Sequence, residues 1–182
     1  MSGNEKPTEE QMEHFYALRK KGVVTRSNFQ KYLESPNSVL GDGFTVTVDY
    51  AKSLVEMVAA GNYDWKNSDI TSGHFPVNKS GTETVRLELV CLDKAASTDE
   101  VLRHMDEQGL RPATLFELLA FGAKYPEEQR KHPVVALGSV WRNSYGHRCV
   151  AYLYWSVAKR NLFLFWFGNV WSVSYRFLAV RK

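Results

Sequence analysis

The residues of this 182-residue chain that carry covalent or metal chemistry elsewhere are five histidines, two cysteines and scattered carboxylates and serines. Their spacing arranges none of that chemistry. His14, His74, His104, His132 and His147 lie far apart, and no HExxH or calcium-loop pattern joins them to carboxylates. Cys91 and Cys149 fit no zinc spacing and are expected as free thiols. Ser139 follows Gly138 but lacks the glycine-flanked elbow that raises a nucleophilic serine, and no glycine loop suits a phosphate. The stretch GNYDWKNSDITSGHFP puts Asp64, Asp69 and His74 near Trp65, and without ligand spacing it reads as a loop pinned by its aromatics. The expectation is a protein that is not an enzyme, with no cofactor and no metal.

What remains is the chemistry of non-covalent contact. Residues 141–182 hold 12 of the 24 aromatic side chains. From Arg160 to Phe167 the period is two: Leu162, Leu164 and Trp166 fall on one face of a strand, and Asn161, Phe163, Phe165 and Phe167 on the other. Both faces are apolar. A central strand buried on both sides has this pattern, and so does a strand that packs inward on one face and displays rings to a partner on the other. The charge is as uneven as the aromatics: residues 129–182 hold nine Lys and Arg and no Asp or Glu, while residues 1–128 hold 14 basic and 20 acidic residues. An acid-free basic end with many rings also suits single-stranded nucleic acid, which is the alternative reading.

The elements that must position these rings are legible to different degrees. Residues 1–40 read as a small helical extension: Thr8 before Glu9 to Gln11 starts a helix with Met12, Phe15, Tyr16 and Leu18 on its stripe, and Ser27 opens a second that Pro36 stops. Phe44 to Val48 alternates as a strand, and Asp49 is expected to cap a helix through Leu54, Val55 and Val58 to Gly61. Thr84 to Leu92 alternates as a half-exposed strand. Capping boxes of Ser97 with Glu100 and Thr114 with Glu117 start two helices, the first stopped by Gly109 and the second by Gly122. Strands then run to the end. Residues 41–182 are therefore expected to form one main α+β domain. No apolar run reaches the ~20 residues of a membrane span and the N-terminus lacks a secretory pattern, which points to a cytoplasmic or virion-associated protein.

The ending NLFLFWFGNVWSVSYRFLAVRK resembles the variable region of the target proteins of diversity-generating retroelements, in particular the archaeal group with a C-type-lectin fold. In that family adenine-directed mutagenesis turns AAY codons into NNY codons, which never encode Trp, Met, Lys, Gln or Glu. GLRPATLFELLAFGAKYP, followed by Gly138 to Trp141 and by Arg176 and Phe177, is similar to the helix, Gly-Ser-Trp strand and terminal strand of formylglycine-generating enzymes, a branch of the same fold. The chain lacks that branch's late pair of cysteines and the EPN, QPD and WND calcium motifs of sugar-binding lectins. Neither oxidase activity nor calcium-dependent glycan binding is expected.

The resemblance implies a C-type-lectin-like fold for residues 41–182, two helices against a mainly antiparallel twisted sheet, with a variable region over about residues 143–175. Its ligand-contacting positions are Tyr145, His147, Tyr154, Ser156, Val157, Phe163, Phe165, Gly168, Val170, Ser172, Val173 and Ser174. Its invariant scaffold includes Leu162, Leu164, Trp166, Trp171, Tyr175 and Arg176. The implied function is a receptor- or adhesin-like protein whose partner is a protein or other surface ligand. Truncating Phe163 or Phe165 is expected to abolish binding and leave stability almost unchanged.

Overall fold

The structure is a computed structural model and describes residues 9–22, 24–26, 29 and 43–182. The chain divides into two compact units, residues 1–42 and 43–182. In the first, α1 (Glu9–Lys20) carries the expected stripe and ends just before Gly22, whose φ of 72° suits a residue without a Cβ. The cap at Thr8 and the helix opened by Ser27 lie outside the described residues, apart from Arg26 and Phe29.

The second unit is α+β. Its strands are β1 (Phe44–Asp49), β2 (Trp65–Lys66), β3 (Thr82–Val90), β4 (Ala96–Ser97), β5 (Leu110–Pro112), β6 (Val134–Arg142), β7 (Arg148–Ser156), β8 (Lys159–Trp166), β9 (Val170–Trp171) and β10 (Arg176–Arg181). Eight of them form one sheet in the order β1-β3-β10-β6-β7-β8-β2, with β5 also on β10. All pairings in it are antiparallel except β10 with β6 and β2 with β8. The helices are α2 (Leu54–Ala60), α3 (Thr98–Glu107), α4 (Leu115–Lys124) and α5 (Glu128–Lys131). Five helices among the described residues, α1 included, replace the expected pair plus an N-terminal extension. Beyond that pair stand α2, which is the helix expected from Leu54 to Gly61, and the one-turn α5, too short to show a helical period.

Alternation along each strand sends side chains to two separate cores. Val46, Val48, Val85, Leu87, Val134, Ala136, Ala151, Leu153, Leu162 and Leu178 meet α2 and α4 on one face. Val135, Leu137, Val150, Phe167, Phe177 and Ala179 meet Val101 and Met105 of α3, and Trp171 of the β4–β9 ribbon, on the other. Thr98 Oγ1 holds that ribbon to the helix: it accepts from Trp171 Nε1 at 2.8 Å and donates to the Phe167 carbonyl.

Both expected capping boxes are present, each side-chain oxygen accepting from the third helical N–H and each glutamate from the cap N–H. Two expectations are corrected. The cap of α2 is Ser53, in a third capping box with Glu56, whereas Asp49 ends β1 and accepts from Ala51 N–H. Gly122 does not stop α4, which runs on to Lys124. Its lack of a side chain serves packing instead: a Cβ there would lie 2.2 Å from the Tyr63 hydroxyl.

Candidate functional site

The hairpin of β7 and β8 builds the site. Tyr152 opposes Phe163, Val150 opposes Phe165 and Tyr154 opposes Asn161, so these side chains share one face of the sheet. Val150 and Phe167 are buried beneath α3 and the ribbon. Beyond that cover the same face stays partly open, and rings fill it. Trp65, delivered by the parallel pairing of β2 with β8, lies 4.3 Å from Phe163, centroid to centroid. Tyr152 is 5.8 Å from Phe163 and 5.6 Å from Phe165, and Tyr154 is 6.1 Å from Tyr152. Phe165 leads on to Trp171 at 5.7 Å, and Trp171 to Tyr175 at 5.2 Å. These separations, with planes stacked, tilted or edge-on, are those of favourable aromatic pairs.

The phenols at the centre feel their burial. Desolvation, followed by the neighbouring Tyr175 and Tyr154 hydroxyls, pushes Tyr152 up to about 12. Burial and then Tyr154 likewise raise Tyr175. The Tyr152 and Tyr175 hydroxyls thus stay neutral donors and acceptors throughout the physiological range.

Two hairpin tips flank the face. In the β6–β7 tip the Asn143 side chain accepts from Tyr145 N–H and His147 N–H, Gly146 has φ 81°, and Tyr145 stands 85% exposed. The β7–β8 tip is a two-residue turn in which Val157 (φ 47°) and Ala158 (φ 61°) both occupy the left-handed region. That region suits the twist of a hairpin but is costly for a β-branched residue. Val157 is 90% exposed.

The inferred contact positions fall as follows. Tyr145, His147, Tyr154, Val157, Gly168, Val170, Ser172, Val173 and Ser174 are exposed. Ser156, Phe163 and Phe165 are half-buried. The last of these corrects an expectation, because Phe165 rests on the buried Trp171 and contributes to the second core as well as to the open face. Among the scaffold positions Leu162 and Trp171 are buried, and Leu164, Tyr175 and Arg176 are half-buried. Trp166 is 53% exposed and so is not a core residue: its alternation with Leu162 and Leu164 is kept, but the core on that face ends before it, and its ring neighbour is His147 at 6.1 Å.

Three members of the face were not assigned from sequence as ligand contacts. Tyr152 carried a usable signal, since it alternates with Tyr154. Tyr175 stands among scaffold positions in the sequence, and only packing shows its ring joined to the cluster through Trp171. Trp65 carried none, because a parallel pairing of two residues across almost 100 positions leaves no local pattern. Elsewhere in its loop, Asp64 accepts from Arg160 N–H at 2.7 Å, and His74 stacks on Trp141 at 4.3 Å with Nδ1 at the Asp69 carbonyl. Among the described residues no three His, Cys, Asp or Glu side chains gather as a metal set.

Folding disperses the basic end. Arg181 pairs with Glu88, Lys182 with Asp106, Arg130 with Glu127 and Lys131 with Glu128. Arg160 donates to the carbonyls of Gly61 and Gly122 and to Gln129 Oε1. On the aromatic face Lys159 stands beside the turn, and at the opposite end stand Arg148, whose guanidinium lies 4.3 Å over the Phe167 ring, and Arg142 across from it on β6. No family model, curated protein or solved structure matches the chain.

Proposed function

We propose that the protein is a ligand-binding protein whose contact surface is the aromatic face of the β7–β8 hairpin with the tips and ribbon loop around it, carried on a C-type-lectin-like scaffold. In this reading retroelement-directed adenine mutagenesis varies the surface positions, and the protein is a receptor or adhesin with no catalytic role. The observation that carries it is the split between neighbours. Trp171 is 1% exposed, while Val170 beside it is 66% and Val173 51% exposed. Side chains between the anchors can change without emptying a core, because their substitution leaves the buried contacts in place. Tyr and Trp suit such a surface, offering large contact area with few rotatable bonds and a polar edge.

The test is genetic. Reads across the 3′ end of the gene from many genomes of the source population are expected to vary at Phe163, Phe165, Gly168, Val170, Ser172, Val173 and Ser174. A near-identical repeat bearing adenines at those codons is expected beside a reverse transcriptase gene. An invariant 3′ end without a repeat refutes diversification and leaves a fixed binding surface. Single-stranded nucleic-acid binding is the weaker reading, since four of the nine basic residues of the C-terminal end pair with acids, Arg130 and Lys131 with Glu127 and Glu128 just before them, and Arg181 and Lys182 with the distant Glu88 and Asp106.

A further inference from the structure

The two outer strands of the sheet are treated differently. At β1 the outward backbone of Thr45 is occupied: its N–H meets the Tyr125 hydroxyl, and its carbonyl accepts from Tyr125 Oη at 3.0 Å and Lys124 Nζ at 2.7 Å. Side chains that occupy edge groups in this way keep other strands off.

At the other end β2 covers β8 only in part. Phe167 N–H bonds the Arg148 carbonyl of β7, so by alternation the backbone groups of Asn161, Phe163 and Phe165 also point at β7, and those of Leu162, Leu164 and Trp166 point outward. Asn67 N–H takes the Leu162 carbonyl, after which the chain leaves the edge. The Trp166 carbonyl accepts from Asn169 N–H. Among the described residues nothing bonds the N–H or carbonyl of Leu164, or the N–H of Trp166. These open groups run beside the aromatic face. Trp65 fills the edge position against Phe163, and the matching position against Phe165 is the next one along the same line.

We propose that an extended, acidic segment of a partner protein adds to the sheet as a strand along β8 from Leu164 to Trp166, in parallel continuation of β2. Its backbone takes the open groups, one side chain lies against Phe165 as Trp65 lies against Phe163, and its carboxylates meet Lys66 at the end of β2 and Arg148 on the face of Phe165, both of them exposed. Charge argues against a second copy of this chain as the occupant, because pairing two such edges would bring those cations together. The proposal rests on the aromatic face being the binding surface, and adds the backbone mode and the partner's charge.

The test selects from a phage library of random peptides about 12 residues long on the intact protein, then follows amide exchange by NMR with the most enriched peptide. The expected result is enrichment of Asp and Glu among alternating apolar residues, with at least tenfold slower exchange at Leu164 and Trp166 on binding. Trp166→Pro removes the outward N–H without touching the bonds to β7, and is expected to weaken binding at least tenfold more than Trp166→Ala, which keeps it. Should the proline variant misfold, the exchange data on the unaltered protein decide alone. A peptide that shifts Tyr152 and Phe163 signals but leaves Leu164 and Trp166 exchange unchanged overturns strand addition and spares the aromatic face. Binding insensitive to Phe163→Ala overturns the face itself. Failure to enrich any acidic peptide, protection of the same amides by self-association without peptide, or displacement of the peptide by a single-stranded oligonucleotide each overturns the proposal.

Discussion

Four residues of β8 lie in a row on the edge of the core, and truncating each in turn measures where the core stops. Leu162 is fully buried against the α2 and α4 layer. Leu162→Ala loses the transfer energy of the removed carbons and leaves a cavity, so it is expected to cost about 2–5 kcal/mol. The ring neighbours of Phe163, which are Trp65, Tyr152 and Tyr154, all reach solvent themselves. Phe163→Ala gives up partial pair contacts of about 0.5–1.5 kcal/mol each, which neighbours and water replace in part, for a net of about 1–2 kcal/mol. Phe165 also packs on the buried Trp171, so Phe165→Ala falls between them, at about 2–3 kcal/mol. Trp166, more than half exposed, is expected to cost less than about 1 kcal/mol. Urea unfolding of the four variants at an unchanged m-value reads this order directly. A cost for Phe163→Ala equal to that for Leu162→Ala would refute the reasoning, because the open face would then be core.

The β7–β8 turn offers an opposite-signed check. Replacing Val157 and Ala158 by Asn and Gly, which suit two successive left-handed residues, is expected to stabilise the fold by about 1–2 kcal/mol in the same urea assay, and unchanged or lowered stability would refute the assigned turn. The raised phenol of Tyr152 gives a pH dependence. With its pKa at about 12 in the fold and near 10 unfolded, its contribution is full below pH 10 and is lost as pH rises towards 12. Phenolate absorbance is expected to lose amplitude near pH 12 in Tyr152→Phe, and a loss near pH 10 instead would place Tyr152 in water.

Much of the scaffold follows from local rules that the chain states openly. Ser97 with Glu100 and Thr114 with Glu117 start α3 and α4 because a side-chain oxygen and a carboxylate three residues apart satisfy N–H groups that the first turn leaves unpaired. Two-residue alternation likewise marks β3 and β8 and sorts Leu162 from Phe163. Tertiary structure decided what the second face of β8 is for. Alternation reports that both faces are apolar, but it carries no information about how far a covering layer extends. The cover of α3 and the β4–β9 ribbon ends at Phe165, leaving Phe163 open, while the core on the opposite face ends before Trp166. Nor could sequence bring Trp65 to Phe163, Glu88 to Arg181 or Asp106 to Lys182. Those contacts join positions far apart in the chain, and only the closed sheet fixes them.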